Sequence, residues 1–206
     1  MSTRAEAKRQ LILDLATQVF QEMGFERANL DVISQRGGGS KATIYKYFAN
    51  KEDLFFQVIF RSTEAEFETT HAALSVNEPD ITCALEHFGQ RFLTLLYSED
   101  VLAFRRLLVA EGGRSDLGRK CYELGPGRSE AMVAEFLQRA MDQGKLRQAD
   151  ARLASFHLKG LLESELLDKF LFHTLGAVTA EEINAITHRA VSVFMSAYGP
   201  ITKPVS

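Results

Sequence analysis

The 206-residue chain has no tryptophan and only two cysteines. Cys83 and Cys121 are too few and too far apart for a disulfide framework or a thiolate metal cluster, which leaves core thiols as the default reading. A redox-sensing thiolate at Cys121, beside Arg119 and Lys120, is the alternative. No run of about eighteen apolar residues occurs, so no membrane-spanning helix is expected. No charged segment leading into an apolar one opens the chain, so secretion is not expected and the cytoplasm is. Repeats and low-complexity segments are also lacking.

Net charge is only −3, a balance that taken whole argues against a polyanionic partner. Its distribution says otherwise. Residues 1–51 hold eight Lys or Arg against five Asp or Glu, a net of +3, and the remainder holds sixteen against twenty-two, a net of −6. A basic end can meet phosphate while an acidic body stays soluble.

What is present is helical periodicity from end to end. Leu11, Ile12, Leu15, Ala16, Val19, Phe20 and Met23 recur at three- and four-residue steps until Gly24 stops the helix, and Arg4, Lys8 and Arg9 give its start a positive side. A longer helix runs from Lys51 through Leu54, Phe55, Val58 and Ile59 toward Leu74. Pro79 and Asp80 open another through Phe88, Phe92 and Leu96, and Asp100 to Glu111 follows until Gly112-Gly113. Shorter helices are expected at Ser115–Leu124 and Arg128–Gln143, and the last two at Asp150–His173 and Thr179–Tyr198. The expected fold class is all-α, with nine or ten helices divided into a small domain at residues 1–50 and a larger one at 51–206.

Residues 24–55 are chemically the most specific stretch. Leu30 and Ile33 face a core from one short helix, Gly37, Gly38 and Gly39 supply a turn, and Ser40 stands where an N-cap hydroxyl would open a second helix from Lys41 to about Phe48. Ile44 and Phe48 make the inward stripe of that helix. The outward side chains suit DNA: lysine donates to guanine O6 and N7, alanine and threonine methyls touch the thymine methyl, and the hydroxyls of Thr43, Tyr45 and Tyr47 reach phosphate oxygens. Lys51 and the free amides of the next helix add a phosphate path. GGGSKAT lacks the spacing of a nucleotide-binding loop and follows no strand.

Carried by Gly24-Phe25, Ile33, Gly38, Ser40, Thr43, Tyr45, Phe48, Lys51 and Leu54-Phe55, this first quarter of the chain resembles the DNA-binding domain of the TetR family of bacterial repressors. The resemblance implies that Lys41, Ala42 and Thr43 approach base edges, that Tyr45, Tyr47 and Lys51 hold phosphates, and that Lys46 does either. Asn29 stands where the family has a hydroxyl residue that caps the first short helix and touches the DNA backbone. Ala28 has lost a hydroxyl. Gly39 replaces a valine that packs under the recognition helix, a loss of roughly 1.5–3 kcal/mol if that side chain were buried. Residues 107–128 resemble the sensing half of the AcrR/AefR-like regulators of multidrug efflux.

The resemblance implies a ligand-responsive repressor and not an enzyme, a homodimer on a palindromic double-stranded operator, released by a small apolar or aromatic effector, with no cofactor or metal and no membrane partner. The expected dimer face comprises Leu153, Gly160, Leu161, Ser164, Leu167, Ile183, Ile186, Ala190, Val193, Phe194 and Ala197. The expected effector pocket comprises Phe88, Phe92, Phe104, Leu108, Tyr122, Phe136, Phe156 and His157, drawn from an aromatic set in which core packing is the competing explanation. His157 and His173 offer polar contacts or are satisfied core residues. Two other classes stay open: a helical adaptor that has lost DNA binding, and a metal-dependent oxidase suggested by Glu68-x-x-His71, which occurs once where such a site wants two copies.

Overall fold

The computed structural model describes residues 4–37, 39–74, 78–111 and 116–200, with only the backbone at residue 111. Gly38, Gly112, Gly113 and Ser115, all read from the sequence as turns or helix starts, lie outside the described residues. Those described form eleven α-helices and no strand: α1 (Arg4–Arg27), α2 (Leu30–Arg36), α3 (Lys41–Tyr45), α4 (Lys51–Ala72), α5 (Ile81–Leu96), α6 (Glu99–Glu111), α7 (Leu117–Leu124), α8 (Pro126–Asp142), α9 (Ala151–Glu163), α10 (Leu167–Leu171) and α11 (Ala180–Tyr198).

Capping chemistry sets most of the boundaries. Asn29, Asp80 and Asp150 each accept a first-turn amide, and Thr179 and Glu182 form a reciprocal capping box at the start of α11. Gly24 interrupts α1 at φ 72°, a conformation that a side chain would strain, and one further turn carries the chain to Arg27. The helix expected at Asp150–His173 is broken between Glu163 and Leu167. The Leu161 carbonyl is taken at 2.8 Å by the Ser164 hydroxyl and at 3.4 Å by the Ser164 amide, which tightens the turn and restarts the helix as α10. That division is why eleven segments stand where nine or ten were expected. His173 then ends α10 in the left-handed region at φ 56°.

The described residues pack as two units, those within 1–64 and 99–121, and those within 65–98 and 122–206. The division by packing therefore falls elsewhere than between residues 50 and 51. In the first unit, Val19, Ile33, Ile44, Phe48 and Leu54 build one core with Phe104, Leu107 and Leu117 of α6 and α7. Phe55 and Phe56 meet the Phe104 ring at 5.9 and 5.5 Å. Arg61 bonds Asp14 at 2.7 Å and tethers α4 to α1.

In the second unit α5, α8, α9 and α11 share a core that includes Leu85, Leu93, Leu137, Leu158, Leu162 and Phe194. Gly89 lets α5 approach closely: a Cβ there would lie 2.7 Å from Thr187 Cγ2 and 2.8 Å from Leu162 Cδ2.

Candidate functional site

α2 and α3 are held by their inward residues. Leu30, Ile33, Ile44 and Phe48 are buried, Asn29 Oδ1 caps α2 through the Asp31 amide at 2.9 Å, and Arg36 makes a two-pronged pair with Glu22 at 2.9 and 2.5 Å. That pair raises the Arg36 pKa and lowers that of Glu22. α3 is shorter than expected, ending at Tyr45, but the Phe48 amide still reaches the Ile44 carbonyl at 3.1 Å and keeps Phe48 inside.

Held this way, Lys41, Ala42, Tyr45 and Lys46 are exposed, and Thr43 and Tyr47 are half-buried. Tyr45 leaves 54% of its surface in water although a phenol ring gains by burial, an arrangement suited to a partner absent from the chain itself.

Three expected roles change in detail. The Ser40 backbone is extended as an N-cap should be, but its hydroxyl caps no amide and lies 3.4 Å from the Thr43 hydroxyl. Lys41 Nζ is paired with Asp31 at 2.7 Å, and this hydrogen bond raises its pKa. Lys51 Nζ sits 4.2 Å over the Phe25 ring and donates to the Glu26 carbonyl at 3.4 Å, so it braces the end of α1.

Gly39 is exposed, and a Cβ there would meet only Thr43 Oγ1 and Cβ, at 3.9 and 4.0 Å. The loss of a buried side chain expected from the sequence does not apply. What the position borders is a small hollow, partly open to solvent, between Leu11, Leu15, Ile33 and Ile44. Arg9, on the positive side of the start of α1, donates to Gln57 at 3.0 Å and lies over the Phe48 ring.

The expected effector residues fall in both units. Phe104 and Leu108 belong to the first unit, and Phe136 is a fully buried core residue of the second. Phe156 is exposed, and His157 Nδ1 lies 2.6 Å from the Tyr198 hydroxyl. Phe88 and Phe92, stacked at 5.5 Å, do line a small hollow, with Val133, Leu158 and Leu162 behind them. Its polar members, Ser129, Glu130, Ser155 and Lys159, were missed from the sequence. The available signal was Ser155, a polar residue within the buried stripe of Ala151, Ala154 and Leu158.

Behind this hollow His71 Nδ1 lies 2.8 Å from the Phe67 carbonyl, and its Nε2 lies 2.8 Å from Ser129 Oγ. Burial holds the imidazole below its usual range, so it is neutral near pH 7. Glu68 is paired with Arg128. Both ends of the Glu-x-x-His motif are thus engaged by protein groups, and no set of three metal-ligating side chains occurs among the described residues. Burial pushes the Cys121 thiol up to about 11, which overturns the thiolate alternative.

The expected dimer residues separate into two faces. Ile183, Ile186, Ala190 and Phe194 point into the core of the second unit. Their three- and four-residue spacing marks the inner stripe of α11, which the sequence alone does not distinguish from an outer one. Leu153, Gly160, Ser164, Leu167, Val193 and Ala197 are exposed, Leu161 is half-buried, and Val193 leaves 54% of its surface in water. No helix among the described residues is long and apolar enough to cross a membrane.

Residues 12–58 match the tetR family of bacterial regulatory proteins, and residues 83–200 match the C-terminal domain of AefR-like transcriptional repressors. The structure resembles that of a TetR-family transcriptional regulator from Mesorhizobium loti, with a TM-score of 0.80 and 28% identity over 96% of this chain and 99% of that one. It also resembles the flavonoid-responsive regulator FrrA, with a TM-score of 0.69 and 30% identity over 95% and 99%. The transcriptional regulator UidR of Escherichia coli K12 is 32% identical over 102 residues, and the chain spans about half the length of that curated relative. With an outward-facing recognition helix and both halves matched, the chain belongs to the TetR family of DNA-binding transcriptional regulators, with a C-terminal domain of the AefR-like type.

Proposed function

We propose that the chain is a cytoplasmic, ligand-responsive repressor that works as a homodimer on a palindromic operator. The observation that carries this reading is the chemistry of two exposed faces. Around α3, Lys41, Ala42, Tyr45 and Lys46 offer cations, a methyl group and a hydroxyl to a polyanion. On α9 and α11, Leu153, Gly160, Val193 and Ala197 form an apolar surface with small residues that one protomer leaves in water. A second copy would cover it and give two recognition helices for two half-sites about one DNA turn apart.

DNA reading is assigned to residues 1–50, with Lys41, Ala42 and Thr43 at base edges and Asn29, Ser40, Tyr45, Tyr47 and Lys51 toward phosphates. Lys46 serves either. Lys41 gives up Asp31 to reach a base, exchanging an ion pair for hydrogen bonds to a neutral base edge. Sensing is assigned to residues 51–206, and a small apolar effector there lowers operator affinity. A coupling of about 1–3 kcal/mol changes affinity 5- to 150-fold. The flavonoid-responsive relative supports an aromatic effector.

The test is fluorescence anisotropy of the purified protein with the duplex from its own upstream region, against a scrambled duplex, across a salt series. Preference for the upstream duplex with a steep salt slope is expected. Failure to prefer it at any salt removes the self-regulating repressor.

A further inference from the structure

Two side chains close the turn that follows the recognition helix. Asn50 Oδ1 accepts the Asp53 amide at 2.7 Å, and Asp53 Oδ2 accepts the Ala49 amide at 3.1 Å, so residues 49 and 50 are tied to the first turn of α4. The arrangement satisfies one carboxylate oxygen and leaves the other in difficulty. Asp53 Oδ1 is buried and accepts no hydrogen bond, and only 13% of the side chain reaches water. A carboxylate oxygen so placed is costly unless a cation stands close.

The start of α4 supplies part of the positive field. The paired cation is Lys120, whose Nζ lies 3.7 Å from Oδ1, an ion pair rather than a hydrogen bond. It comes from α7, far along the chain. Leu117 is buried in the core of the first unit and Cys121, one turn later, packs against it, which seats α7 and brings Lys120 to Asp53. Without that charge, Asp53 would reduce its cost by turning Oδ1 to water, which releases the Ala49 amide. The fraction of chains with the turn closed would then fall, and apparent affinity for DNA would fall with it.

We propose that Lys120 is a positioning residue for DNA reading: its ammonium compensates the buried oxygen of Asp53 and so holds the turn behind Tyr45, Lys46 and Tyr47, without itself touching DNA. The proposal rests on the DNA-reading assignment above and extends it to a side chain outside residues 1–50.

Lys120→Met removes the charge and keeps the stem. Its affinity for the upstream duplex is expected to fall about fivefold, the most that a pair with one well-exposed partner is worth, with the salt slope of the wild type. A lysine that met phosphate would instead take about one from that slope. Amide exchange of the full chain, read by NMR with no DNA present, is expected to lose protection at Ala49 but not at Phe48, whose amide bonds the Ile44 carbonyl. Lys120→Arg is expected to keep both affinity and Ala49 protection. In an Asp53→Asn background the carboxylate charge is gone, and adding Lys120→Met is expected to change nothing further.

Unchanged affinity and Ala49 protection in Lys120→Met, a slope reduced by about one, or an equal loss of affinity in the Asp53→Asn background would each overturn the proposal. Loss of protection across α2 and α3 as well would show a general packing role and overturn it too. A wild-type chain without preference for the upstream duplex would count against the repressor reading alone, since Ala49 protection still decides whether Lys120 holds the turn.

Discussion

The α2–α3 pair and helix α9 obey the same inner rule and opposite outer ones. Both bury one stripe at helical spacing: Leu30, Ile33, Ile44 and Phe48 in the first, Ala154, Leu158 and Leu162 in the second. On the outside α3 presents Lys41, Tyr45 and Lys46, whereas α9 presents Leu153, Phe156 and Gly160. The inner stripe identifies the fold. The outer one differs in chemistry, cationic and hydroxylated on α3 and largely apolar on α9.

The sharpest way to break that contrast is to give the outer face of α9 and α11 the character of a soluble surface. Leu153→Glu with Val193→Glu is expected to leave a folded monomer in sedimentation equilibrium and to lower operator affinity by about 100-fold or more, because tethered half-site binding is lost. A dimer that survives both changes would remove this face as the interface.

Next in size is the α3 face. Tyr45→Ala is expected to weaken specific and scrambled duplexes alike by about tenfold, and Lys46→Ala to reduce the salt slope by about one. Lys41→Ala should in addition flatten the preference between the two duplexes. Unchanged anisotropy for all three substitutions would place the DNA path elsewhere.

Acid separates the units more subtly. Burial keeps the His71 pKa below its unfolded value, so the stability it contributes is complete above about pH 6.5 and is lost as the pH falls below that, where the unfolded chain takes up a proton that the folded one refuses. Hydrogen-exchange protection factors, corrected for the intrinsic pH dependence of exchange, are expected to fall in α8, which carries Ser129, between pH 7 and pH 5 before they do in α2. The reverse order would indicate a different titrating group.

The smallest expected effect is Gly39→Val. With the position exposed, the gain is about 0.4–1 kcal/mol from lost unfolded-state freedom, plus partial filling of the adjoining hollow, seen as a small rise in melting temperature. A fall would mean that the valine is strained against Thr43.

The same contrast explains what the sequence discloses. The α2–α3 pair is legible because its signals are local: Asn29 caps two residues ahead, and Ile44 and Phe48 are one turn apart. The Lys41–Asp31 pair was not legible, since the glycine turn that joins the two residues has no periodicity from which to compute their approach. For the hollow, phenylalanine spacing says only that a ring points inward. Phe88 and Phe136 share that property, yet one borders the hollow and the other is sealed in packing, and the difference depends on how α5, α8 and α9 meet. On α11 the same ambiguity assigned Ile183 and Phe194 to an outer face when they occupy the inner one.

The core that supports the recognition helix is discontinuous in the chain, since Phe104, Leu107 and Leu117 return to it after residues 65–98 have built part of the other unit. The gene therefore offers no clean place to cut between reader and sensor. A fragment ending at residue 64 would leave Phe55 and Phe56 without the Phe104 ring they pack on, and a hybrid regulator made by exchanging N-terminal segments would inherit that unmet surface unless α6 and α7 travelled with it. Recombination between relatives should favour crossovers that keep residues 1–64 and 99–121 from the same parent.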